Sequence, residues 1–171
     1  MIRGLFARLT AEPRRGQALF DLCVGEARER HWFADGAVPD TVNGRFAVLA
    51  TVAALVMVRL ERGGVEGHQT SVALTERLVE SLDAEIRQMG LGDPALGKQV
   101  RRLVGAVAGR VERWRELVDS LGPWTAEVRR SLYLDEPAEP AAVEHGEAAL
   151  RRSWERVSRS SVEDLAQGRV R

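Results

Sequence analysis

A single cysteine, Cys23, stands in a chain of 171 residues, so no internal disulfide can form and a reducing compartment suits the protein. Its neighbours Leu22 and Val24 are apolar, which reads as a buried, unreactive thiol. Lysine is almost missing too: Lys98 is the only one. Neither sign of charge dominates, since 25 basic residues face 25 acidic ones, and no overall field steers the protein toward nucleic acid or membrane. Three histidines, His31, His68 and His145, are scattered, with none three or four residues from another. No carboxylate–histidine pattern of a zinc or di-iron bundle is present, so no metal and no cofactor are expected. No stretch alternates apolar and polar residues with a period of two, which argues against strands. Residues 1–10 have neither the continuous apolar run nor the cleavage site of a secretory signal. Ile2, Leu5, Phe6 and Leu9 do fall at helical spacing there, as a terminus docking on the core or a short membrane-surface anchor would have them.

The periodicity that remains is helical. Residues 13–30 form a first helix with Leu19, Leu22, Cys23 and Ala27 inward, and residues 31–40 an ordered loop anchored by Trp32, Phe33 and Val38. Residues 46–60 are nearly all apolar, broken only by Thr51 and Arg59. A bilayer span needs about 20 such residues, and helices apolar on every side are usually core helices. Residues 41–62 therefore read as the buried centre of the fold. Gly63, Gly64 and Gly67 break the chain before a third helix at 69–89, whose stripe is Leu74, Leu78, Leu82, Ile86 and Met89. A fourth helix at 94–120 places Val100, Leu103, Val104, Val107, Val111, Trp114, Val118 and Leu121 on one face. Gly122-Pro123 ends it, a shorter helix runs to residue 134, and a polar helix covers 141–167. Trp32, Trp114, Trp124 and Trp154 do not repeat at fixed spacing and read as core or interface anchors. The expectation is all-α: about six helices around a buried apolar central helix, with a main domain over 1–134, an acidic Pro-rich linker over 135–140 and a C-terminal helix and tail over 141–171.

Between the third and fourth helices, Gly92-Asp-Pro-Ala-Leu-Gly97-Lys98 has the spacing of a phosphate-binding loop. That chemistry needs a strand feeding the loop and a Ser or Thr directly after the lysine to hold magnesium. Here Gln99 follows Lys98, a helix precedes, Pro94 removes an amide, and Asp93 puts a negative charge where phosphate would lie. A helix–turn–helix corner explains more residues. Gly90 follows the last periodic residue as a left-handed helix end, Asp93 is an N-cap, and Pro94 suits the first helical position. Asp83, Glu85 and Arg87 beside this corner read as a local ion-pair set rather than an acid–base couple.

At about 100° per residue, Lys98, Arg101, Arg102, Gly105, Gly109 and Arg113 fall opposite the apolar stripe of the fourth helix. An interior glycine costs about 1 kcal/mol against alanine, so two of them one turn apart call for a reason. A partner's backbone could approach closely there, with acidic or carbonyl groups meeting the basic residues. The face could also be simply solvated, or covered by the chain's own C-terminal helix. Lys98, Arg101 and Arg102 could equally touch lipid headgroups.

Two blocks are similar to the ubiquinol–cytochrome c chaperone family. One is Ile86-Arg-Gln-Met-Gly-Leu-Gly-Asp93 with Gly97-Lys98-Gln-Val100 and Gly109-Arg110. The other is Gln17-Ala-Leu-Phe20 followed by Val38-Pro-Asp-Thr-Val-Asn-Gly-Arg-Phe46. Their order and spacing agree over residues 17–115. The chain departs from the family where an aromatic pair usually precedes Gly109-Arg110: Val107-Ala108 stand there. The resemblance implies an all-helical, non-enzymatic assembly factor of the respiratory bc1 complex that binds cytochrome b. It also implies a small helper protein in mitochondrial relatives and stand-alone soluble proteins in bacteria. With no transit-like leader, the expected place is the bacterial cytoplasm, peripheral to the inner membrane, or the matrix side of the mitochondrial membrane in a eukaryote. The expected partner-binding residues are Lys98, Arg101, Arg102, Gly105, Gly109 and Arg113, and nucleic acid is not expected as a partner. The competing classes are a helical nucleotide-binding enzyme or switch using residues 92–98, and a helical adaptor with no cytochrome client.

Overall fold

A helix that is apolar in every direction is stable only when surrounded, and the architecture follows from that requirement. The computed structural model describes residues 15–88, 93–120 and 122–171. Residues 1–14 with their apolar spacing, and Met89, Gly90, Gly92 and Leu121, lie outside the described residues. So do the side chains of Leu82, Asp83, Glu85, Ile86, Arg87, Asp93, Pro94 and Gln99. Eight helices form the regular structure of the described residues, with no strand among them. They are α1 (Gln17–Ala27), α2 (His31–Ala34), α3 (Val42–Glu61), α4 (Gly64–Gln88), α5 (Asp93–Leu117), α6 (Thr125–Leu132), α7 (Pro140–Arg159) and α8 (Val162–Ala166). The all-α expectation around a buried apolar helix holds.

That central helix is α3. Thirteen of its twenty residues are buried, and α1, α4, α5, α6 and α7 pack around it. By length and composition alone it could cross a membrane; in the fold its apolar surface is spent on these neighbours. Thr41 caps it, accepting at Oγ1 from the Gly44 amide at 3.1 Å. Gly44 has to be glycine, because a Cβ there would run into the Pro39 carbonyl.

Two further helices appear beyond the expected six, both short. The loop over 31–40 contains α2, where Trp32 is fully buried and donates Nε1 to the Glu26 carbonyl at 2.8 Å. The C-terminal helix divides at Ser160, whose backbone is extended. Ser161 then caps α8, accepting from the Asp164 amide at 3.0 Å and donating to the Asp164 carboxylate at 2.9 Å.

The third helix starts at Gly64 rather than at 69. Its glycines are contact positions more than breakers. A Cβ on Gly67 would strike the Leu60 carbonyl, and one on Gly63 would strike Val162 of α8. Only Gly64 takes a left-handed conformation, at φ +62°, and it turns the chain from α3 into α4. After the acidic linker, α7 buries Val143, Ala149, Leu150 and Val157 and packs on α3 and α6.

Candidate functional site

The seam between α4 and α5, floored by Met57 of α3, is incompletely filled. Leu78 of α4 and Leu103, Val104, Val107 and Ala108 of α5 line an apolar pocket of about 100 Å³ there. It continues past Met57 and Ala108 into a wider section of about 380 Å³ bordered by Glu61, Glu112 and Arg115. Small side chains leave the gap: Val107 and Ala108, at the place where the resemblance leads one to expect an aromatic pair, both line it. Val104, placed by periodicity on the inward stripe, lies at its edge and is 38% exposed.

On the outer side of α5, Lys98, Arg101, Arg102 and Gly105 are exposed together, and Gly109 is half-exposed. A Cβ on Gly105 would meet nothing within 4 Å; on Gly97 and Gly109 it would meet only the Arg101 and Arg113 guanidinium groups, at 3.6 and 3.2 Å. The C-terminal helix therefore does not cover this face, which removes one of its four readings. Gly97 and Lys98 lie within α5. Among the described residues Lys98, Arg101 and Arg102 have no hydrogen-bond or ion-pair partner. Other arginines do meet carboxylates: Arg62 with Asp119 at 2.8 Å, Arg115 with Glu61 at 2.7 Å, and Arg156 with Glu26 at 2.6 Å.

Arg113 is placed apart from this group. Its Nε donates to both oxygens of Glu127 on α6 at 2.9 Å, and it is held against the helix bundle. Beneath it is a polar network that periodicity did not disclose. Arg110 of α5 is buried and donates to the Ser131 carbonyl at 3.0 Å, the Ala106 carbonyl at 3.2 Å and Thr51 Oγ1 at 3.4 Å. Trp114 Nε1 donates to Ser131 Oγ at 3.2 Å, and that hydroxyl donates to Glu127 at 2.5 Å. Burial holds the Arg110 pKa below the ordinary arginine range, with Arg113 adding repulsion and Glu127 opposing both. A guanidinium still stays charged. An arginine on the flank of an otherwise apolar stripe was the available signal.

Two of the scattered histidines meet in space. His31 Nδ1 and His145 Nε2 are 3.1 Å apart, one ring nitrogen donating and the other accepting. Burial lowers the His31 pKa, His145 and Arg152 lower it further, and Glu26 and Glu29 oppose them. Among the described residues no group of three His, Cys, Asp or Glu side chains is placed to hold a metal. Cys23 is fully buried, and its thiol is pushed up to about 12 by desolvation first and Glu26 second.

Residues 34–171 match the model of the ubiquinol-cytochrome C chaperone family. No curated protein matches the chain. The fold is similar to the crystal structure of the Cbp3 homolog from Brucella abortus, with a TM-score of 0.76 and 24% identity, covering 98% of this chain and 94% of that one.

Proposed function

The chain belongs to the ubiquinol-cytochrome C chaperone family, and on that footing we propose that it is a non-enzymatic assembly factor of the respiratory bc1 complex that holds cytochrome b during maturation. A chaperone for a membrane client needs apolar contact for the client's helices and cationic groups for its polar loops or the surrounding headgroups. The observation that carries this reading is the outer side of α5: Lys98, Arg101 and Arg102 unpaired among the described residues, beside the open Gly105 and the apolar trough. Gly109 extends that open side, and Arg113, locked by Glu127, forms a fixed rim. The protein works on the cytoplasmic side of the inner membrane, where such a client emerges. A small helper protein or the bilayer itself would meet the same cations.

Copurification from native membranes should recover cytochrome b, and deletion of the chain's gene should lower assembled bc1. Normal bc1 in the deletion strain sinks the proposal. Gly105→Leu combined with Lys98→Glu should impair assembly while the helical melting transition persists. Loss of that transition would make the face a structural one instead.

A further inference from the structure

The seam between α4 and α5 is apolar at its centre and acidic at one end. Val65, Val72 and Val79 repeat every seven residues along one edge of α4. Val79 lines the pocket, and Val72 and Val65 are 45% and 76% exposed. On the α5 bank Val104 is 38% exposed, and Ala108 is exposed as well. Apolar groups left in water on both banks of an apolar pocket are the surface expected of an interaction site. The pocket of about 100 Å³ compares with the roughly 10–15 Å³ that seats one water. It has room for one aliphatic or aromatic side chain.

Val104, Ala108 and Glu112 follow one another at four-residue steps on the same edge of α5. One turn beyond Ala108, about 6 Å at 1.5 Å per residue, the wider section of about 380 Å³ is bordered by Glu61, Glu112 and Arg115. Arg115 is already engaged: it forms a fork on Glu61, with both bonds at 2.7 Å, and Glu112 adds a weaker attraction. Glu112 itself has no hydrogen-bond or ion-pair partner among the described residues. Two carboxylates against one guanidinium leave this end with a net negative charge. Arg113, the other basic residue nearby on α5, is turned away onto Glu127. Lys98, Arg101 and Arg102 lie on the outer side of α5, at least ten residues from Glu112. That is about 15 Å along the axis, beyond the screening length of about 8 Å in physiological salt.

We propose that the trough holds the basic end of an apolar helix, with one large apolar side chain in the pocket and a lysine or arginine about one to two turns further on against Glu112. Membrane-spanning helices end in this way, with an excess of Lys and Arg just beyond the apolar stretch on the cytoplasmic side. A gap between two packed helices is a groove into which a third helix lays its apolar face. The proposal rests on the reading of a membrane client and adds which part of that client the chain holds. An anionic lipid, a fatty acid or a nucleic acid would bring negative charge to Glu112 and is disfavoured there.

Three fluorescent synthetic helices of identical apolar stripe, ending in Lys-Lys, Gln-Gln or Glu-Glu, test this by anisotropy titration of the full chain. Affinity should fall in that order, by about fivefold from the first to the last, and high salt should narrow the spread. Glu112→Lys should reverse the order. Lys98→Glu with Arg101→Glu and Arg102→Glu should preserve it. Ala108→Trp, which fills the trough, should weaken all three while the melting transition persists. Equal affinities in the wild type, still weakened by Ala108→Trp, overturn the basic end and leave the client reading standing. An order that follows the three outer cations instead of Glu112 overturns the proposal and puts the helix end on the outer side of α5. Binding indifferent to Ala108→Trp overturns it too. If no helix binds, the proposal falls, and recovery of cytochrome b with the full chain from native membranes decides the client reading separately.

Discussion

Arg110 of α5 donates its Nη2 to the main-chain carbonyl of Ser131 on α6, at 3.0 Å in a buried setting. The bond joins two helices through a carbonyl at the end of α6, and Thr51 brings the central helix into the same network. Arg110→Ala leaves that carbonyl unsatisfied and opens a cavity, so it should cost about 2–4 kcal/mol by urea denaturation. Arg110→Lys keeps the charge but loses the fork, and should fall between alanine and wild type. An unchanged urea midpoint for Arg110→Ala would refute a structural role for the network.

Glycines of the same helical class should respond with opposite signs. Gly105 faces open space, so Gly105→Ala should stabilise the fold by about 0.5–1 kcal/mol through helix propensity alone. Gly67→Ala drives a Cβ into the Leu60 carbonyl and should lower the melting temperature despite the same propensity gain. Paired melting curves compare them, and destabilisation by Gly105→Ala would show that α5 has an intramolecular neighbour there.

Acid should weaken the joint between α2 and α7 before the carboxylates titrate. The His31 pKa lies below its ordinary value of 6.5, chiefly from burial, so the unfolded chain takes up the proton first. The His31 contribution is complete above pH 6.5 and is lost as pH falls through the lowered folded value. Glu147 and Asp164, whose pKa values are lowered from 4.5 and 3.8, act only at lower pH. Melting temperature should thus drop as pH falls below 6.5 in the wild type, and His31→Gln should flatten that part of the curve. An equal slope in the variant would assign the effect to other groups.

Cys23 should resist alkylation at neutral pH. It is fully buried with its thiol pushed up to about 12, so almost no thiolate is available. Iodoacetamide followed by mass spectrometry should label it at the rate of global unfolding, and label should appear in step with denaturant. Fast labelling of the native protein would place the thiol near the surface.

Much of the fold was legible because it depends on local spacing. The all-round apolar character of α3 and the stripe of Leu103, Val107, Val111 and Trp114 on α5 specify which sides turn inward, and these residues are buried. The capping pattern Ser161-Val-Glu-Asp164 was equally readable as a helix start, but the continuous polar character of residues 141–167 concealed it. The basic side of α5 was also readable, since Lys98, Arg101, Arg102 and Gly105 share an exposed face. Arg113 fell on that face by angle, yet its long side chain reaches Glu127 on another helix.

The sequence by itself determined the helical class, the buried centre and the position of the cationic cluster, because periodicity and charge spacing are properties of neighbouring residues. Only the tertiary structure decided that His31 would meet His145, 114 residues away, that Arg110 would be buried on Ser131, and that Val107 and Ala108 would leave a trough. Those outcomes depend on which helix lies beside which and how closely. A helix carries its inward face in its own residues, but the partner of a polar group and the space left at a seam are set by the element packed against it.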